Sequence, residues 1–400
     1  GLALGAWTLD RAVSGSRRPG RWYGGLEIVI GLWGLISTAL IPHFNSVVPR
    51  LISIEPSAFR HWAVAFAVPF FVLLPATTAM GATFPAMERF AAPLEKDRRC
   101  VGKLYAANTL GAVAGALAST FVVVPAFGFT ATLMILAGLN LVCGVAAIAL
   151  EWGMQVPGAQ MSQRPDGRSH RVLFPSGGSS DRTGEWPVAP MPEPGVSGGR
   201  LNLTVFMTGL LGIGYEVLGV RVLAEILENT IYSFAAALSV YLLGTALGAA
   251  CYQRSGRRAE FGPALEVLLC GISTACVLGA LVMSKAQAIY DGVRSAFGNS
   301  LTGGLLAEAT VAVLVFGFPT IFMGATYSHL VQWARREEGG VGRAVALNTL
   351  GSALAPIFFG VALLPALGAK WSLVIVSLGY LPLLAAVGVA NAGRQFPIEI

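Results

Sequence analysis

Met80-Gly81-Ala82-Thr83, a short charged loop, then Asn108-Thr109-Leu110-Gly111, Pro125 and Gly128: this order of residues occurs twice in the chain. Met323-Gly324-Ala325-Thr326 comes 243 residues after the first motif. Asn348-Thr349-Leu350-Gly351, Pro365 and Gly368 come 240 residues after theirs. Gly1-Leu2-Ala3-Leu4-Gly5 also returns, as Gly244-Thr245-Ala246-Leu247-Gly248. Such long-period self-similarity implies two halves with one structural plan.

Composition decides what kind of plan. Of 400 residues, 54% are hydrophobic and 12% charged, and the mean hydropathy is +0.67. A soluble domain carries about 25% charged residues. Apolar runs of about 20 residues, enough to cross a bilayer as helices, recur at 23–42, 62–86, 104–126 and 129–150. They recur again at 201–222, 231–252, 263–284, 305–327, 343–365 and 370–392. The expected fold is therefore an all-α polytopic membrane protein in the lipid bilayer.

Residues 1–151 form the first helical repeat, and residues 152–200, rich in Pro, Gly, Ser and Arg, a flexible linker. Residues 201–393 are the second repeat, and 394–400 a short tail. The repeat register pairs 231–252 with the helix tail at 1–8 and pairs 201–222 with a helix ahead of residue 1. The plan expected is six helices plus six. An even number per half gives both copies one orientation, making them parallel repeats as in major-facilitator transporters.

Lys and Arg alternate between loops in step with these runs. The loops at 9–22, 87–103, 152–200, 253–262 and 331–343, with the tail, hold 21; the intervening loops hold 6. The excess marks the cytoplasmic side, so the linker and the C-terminus are expected in the cytoplasm. The net charge of +6 fits loop arginines facing anionic lipid. No basic cluster is interleaved with aromatics, so nucleic acid is not an expected partner.

Several residues carry competing readings. The small residues of Gly111, Ala112, Ala114, Gly115 and Ala118 form either a packing seam or the wall of a helix that moves. Gly351 repeats that face, and Pro356 adds a bend. Asn108 and Asn348 can bond across to a neighbouring helix or contact a substrate. Glu27 and Glu266 each follow a leucine at a helix entrance, where the dipole favours a carboxylate. Glu216, between Tyr215 and Val217 inside a spanning run, is costlier to bury. Arg221 and Glu225, four apart, can pair, and Glu308 enters its helix from the same side. This group is either a structural ion-pair cluster or a ligand site.

The five cysteines, Cys100, Cys143, Cys251, Cys270 and Cys276, include no C-x-x-C pair and no histidine at ligand spacing, so they read as packing residues. His43, His61, His170 and His329 show no metal or haem spacing, and no cofactor is expected. No nucleophile–base pair and no glycine-rich nucleotide fingerprint is visible.

Gly214-Tyr215-Glu216 followed by Arg221, the Gly-x-Ala-Leu-Gly helix end, Met-Gly-Ala-Thr-Phe-Pro and Tyr-Ala-Ala-Asn-Thr-Leu-Gly together resemble the membrane region of fused spermidine synthase-like proteins. These are bacterial polytopic proteins of the inner membrane that often carry an aminopropyltransferase-type domain after the last helix. The resemblance implies a membrane module that binds or transports a small organic cation such as a polyamine, with Glu216 and the Leu-Glu positions meeting ammonium groups. Tyr215 would add a cation–π contact. It equally admits a scaffold subunit of a larger membrane complex, or the anchor of a transferase. No catalytic residue of such a transferase maps onto this chain, and Tyr327-Ser328 stands where the first copy has Phe84-Pro85.

Overall fold

A bilayer core offers no water to a peptide group, so each apolar run must close its own hydrogen bonds as a helix. The computed structural model describes residues 1–16, 18–52, 57–91, 100–154, 198–226, 230–254, 261–298, 300–335 and 340–384, and these are almost entirely helical with no strand among them. The helices are α1 (Leu2–Ser14), α2 (Pro19–Ile52), α3 (Ala58–Ala91), α4 (Cys100–Ala118), α5 (Val124–Met154), α6 (Gly198–Leu223), α7 (Ile231–Arg254), α8 (Phe261–Met283), α9 (Ala286–Phe297), α10 (Leu301–Ala334), α11 (Gly340–Ala355) and α12 (Leu364–Leu378). Short π-helical stretches, Ser119–Val123 and Pro356–Leu363, follow α4 and α11. Most of the expected linker and the whole C-terminal tail lie outside the described residues.

Among the described residues, eight helical stretches are long and apolar enough to cross a membrane. Their outer surfaces carry Phe66, Phe71, Val142, Phe318 and Val361 exposed, while glycine and alanine crowd the contacts between helices. Lipid is as apolar as these side chains, so they gain nothing by turning inward; close backbone approach carries the packing instead. The chain is a multi-pass membrane protein.

Two stretches, Leu104–Gly153 and Gly340–Leu384, span 50 and 45 residues. At about 1.5 Å per residue either is roughly twice the length a bilayer core needs. Each is broken once, at Gly128 (φ 76°, ψ 171°) and at Gly368 (φ 75°, ψ 170°). That backbone region is open essentially to glycine alone. Each stretch is therefore two helices joined at one residue, in the gaps expected after 126 and after 365.

The same contacts occur at shifted numbers. Against α3, a Cβ at Gly1 would fall on the Thr77 hydroxyl, at Gly5 on the Thr78 carbonyl, and at Gly81 on Leu2 of α1. Between α7 and α10, a Cβ at Gly244 would fall on the Thr320 hydroxyl, at Gly248 on the Ile321 carbonyl, and at Gly324 on Thr245. Helix α6 packs on α11, α12, α10 and α8, while α4 lies against α7 and α1 against α11.

Two expected loops differ. Residues 285–304 contain α9, an amphipathic helix whose Arg294 donates to the Tyr290 hydroxyl at 2.7 Å. Its sequence turns apolar and polar faces in opposite directions, so it was not long or apolar enough to register as a span. Helix α2 runs on to Ile52 through Pro42 and Pro49, shortening the loop expected at 43–61.

Candidate functional site: a carboxylate on α6

Helical periodicity brings Gly212 and Glu216, four residues apart, to one face of α6. Three polar atoms converge beside Gly212. Met323 Sδ, the Tyr241 hydroxyl and the Tyr380 hydroxyl lie 3.7, 3.7 and 3.8 Å from the place a Cβ would occupy. A side chain here would meet all three, so glycine leaves the room they share. The Tyr241 hydroxyl donates to Met323 Sδ at 3.6 Å, a weak acceptor. Tyr380 is fully buried, and its hydroxyl has no hydrogen-bond partner among the described residues.

Glu216 stands one turn further along, half-buried and within coulombic range of Tyr241. Among the described residues it has neither a hydrogen bond nor an ion pair. A carboxylate inside a spanning helix without a protein partner faces water or a ligand. The two phenols and the thioether thus meet at Gly212, and Glu216 lies one turn along the same helix, near Tyr241.

The remaining expected residues do not gather there. Tyr215 has 0% exposure, donates its hydroxyl to the Val315 carbonyl at 3.1 Å and packs edge-on to Phe316. It is a core residue, with no ring face left for a ligand. Arg221 and Glu225 are both exposed and form no ion pair with each other. Helix α6 ends at Leu223, and Glu225 and Ile226 bond back only three residues, to Val222 and Leu223, so four-residue spacing no longer aligns the side chains. Glu308 is buried and accepts from Ser233 Oγ at 2.7 Å, with Thr230 Oγ1 3.0 Å from that hydroxyl. It secures the start of α7 to α10. Glu27 lies near the Tyr23 side chain, one turn earlier on α2. Glu266 is half-buried on α8, and α2 and α8 do not pack together, so the two Leu-Glu positions form no joint site.

The repeated seam is used in one copy. Asn348 Nδ2 donates to the Val205 carbonyl at 3.1 Å, Ser352 Oγ to the Gly209 carbonyl at 3.3 Å, and Gly351 meets the Phe206 carbonyl. Pro356 opens the π-helical stretch after α11, as the lost amide predicts. Asn108, Gly111 and Gly115 are exposed, and nothing lies within 4 Å of either glycine's Cβ position.

Four interactions escaped the sequence. Glu88, 6% exposed, pairs with Arg335 Nε at 2.7 Å, joining α3 to the end of α10. Glu151 accepts from the Gly20 and Arg21 amides at 3.0 and 3.1 Å, capping α2 from the far end of α5. His329, fully buried, shares a 2.7 Å hydrogen bond with the Tyr252 hydroxyl. Tyr105 of α4 and Tyr327 of α10 stack at 4.9 Å across the two halves. The one available signal lay in the charge count. Glu88 and Arg335 flank loops assigned to the same side, as do Gly20 and Glu151. No group of three metal-ligating side chains occurs among the described residues.

No protein-family model matches the chain. No curated protein sequence matches it either.

Proposed function

We propose that the chain is a transporter-like membrane module of two parallel six-helix repeats, on the major-facilitator plan, that binds a small organic cation at Glu216. The observation carrying this reading is the unpartnered carboxylate of Glu216 inside a spanning helix, one turn from Gly212, where the Tyr380 hydroxyl is unsatisfied among the described residues. Repeated contacts of α1 with α3 and of α7 with α10 support the two-repeat plan, as do paired glycine breaks at 128 and 368. The resemblance to spermidine synthase-like membrane regions favours a polyamine, whose ammonium groups and methylene spacers match a carboxylate among phenols and a thioether. The Lys and Arg count favours the cytoplasmic side for the linker and the C-terminus, and the resemblance implies a bacterial inner membrane.

Uptake of labelled spermidine into proteoliposomes tests the reading. Flux above empty vesicles, reduced about tenfold or more by Glu216→Gln, is expected for a buried charge contact with the ligand. Equal flux in loaded and empty vesicles overturns it.

A further inference from the structure

The two halves differ in what covers them. Gly351 and Ala355 of α11 are buried beneath α6, whereas Gly111 and Gly115, 240 residues earlier on α4, are exposed. Phe316 of α10 is 1% exposed and lies against Gly219 of α6, whereas its counterpart Leu73 on α3 is 56% exposed. On α12, Val376 is 0% exposed and Gly379 lies against Leu211 of α6; their counterparts on α5, Leu136 and Leu139, are 36% and 56% exposed. At these positions a strip running over α4, α3 and α5 is bare where its copy over α11, α10 and α12 is sealed by α6.

Bare apolar side chains alone would suit lipid. Asn108 and Gly111 would not, because their copies meet a helix backbone specifically: Asn348 donates to the Val205 carbonyl, and Gly351 lets the Phe206 carbonyl approach closely. An asparagine amide gains little from acyl chains and finds a partner in a neighbouring helix. We infer that this strip seats one further membrane-spanning helix, with α6's small-residue face, belonging to the same polypeptide and preceding α1 as α6 precedes α7. Its backbone carbonyls accept from Asn108 and its ridge closes over Gly111. The inference rests on the repeat plan and is independent of the cation reading.

Thiol labelling in bilayers tests it without measuring flux. The five native cysteines are replaced by alanine, and Gly111→Cys, with Val142→Cys as the lipid-facing control, is introduced. Each variant is made twice, starting at residue 1 and starting at the natural beginning of its gene. A lipid-soluble maleimide is expected to label both positions alike in the shorter chain, and position 111 about tenfold more slowly in the longer one, as a covered thiol reacts. Equal labelling of position 111 in both chains overturns the inference. So does a 111–111 disulfide between copies of the longer chain, which would make the strip a contact between copies. Failure here leaves spermidine uptake untouched, so the two proposals stand or fall separately.

Discussion

At the scale of single residues, the buried carboxylates Glu151 and Glu88 are held in two different ways. Glu151 accepts two amides at the start of α2, where the helix dipole also favours negative charge. Glu151→Ala is expected to lower stability by about 2 kcal/mol, as for a charge-assisted bond lost at a helix terminus. Glu151→Gln, which keeps one acceptor, should lose less; thermal unfolding in detergent micelles reads both. Glu88 is held by Arg335, whose side chain is 28% exposed. Arg335→Ala should therefore cost about 1–2 kcal/mol, below the range for a fully buried pair. Glu216 has no such support, which is why the ligand hypothesis rests on it. Asparagine gives a further contrast. Asn348→Leu removes a bond to α6 worth about 0.6 kcal/mol in a bilayer, whereas Asn108→Leu in the chain from residue 1 should change nothing. Equal losses at both positions would contradict the different environments of the two copies.

At the scale of helices, glycine is used for two separate physical reasons. Gly128 and Gly368 have open space around them, so a methyl group meets no atom; only the backbone objects. Gly128→Ala and Gly368→Ala are each expected to cost about 1–3 kcal/mol, the strain of that dihedral region in a residue with a Cβ. An unchanged melting temperature in either would show that the break can move. Gly248 is helical, and there the obstacle is the Ile321 carbonyl of α10. Gly248→Leu should push α7 from α10 and give aggregated protein on size exclusion, while Gly25→Leu, with nothing within 4 Å, should elute normally. The glycines were visible in the sequence. Which of them mark turns and which mark contacts was not, because both roles leave the same letter.

At the scale of the molecule, the halves meet at both ends of the bundle. Glu88 reaches Arg335 at one end, and Phe121 stacks on Tyr232 at 5.1 Å towards the other. If the halves rock about a central site, a disulfide at either end must stop the cycle. The pairs Glu88→Cys with Arg335→Cys, and Phe121→Cys with Tyr232→Cys, are each expected to bring spermidine flux to the empty-vesicle level when oxidised and to release it on reduction. Undiminished flux with both pairs oxidised would exclude rocking.

The all-helical membrane class, the recurring motifs and the turn positions near 128 and 368 were legible in the linear sequence. Length and hydropathy are one-dimensional properties, and a solvent without hydrogen-bonding capacity turns a long apolar run into a helix regardless of its neighbours. Partner choice is different, since it depends on how far each helix is rotated and on what lies beside it. Tyr215 and Glu216 are adjacent in the chain, yet about 100° apart around α6. That rotation sends Tyr215 into the core against Val315 and leaves Glu216 without a protein partner beside Tyr241. Likewise Asn108 and Asn348 sit in the same motif, but only Asn348 has α6 alongside it. Sequence determined that both motifs exist; the tertiary packing decided which one is filled.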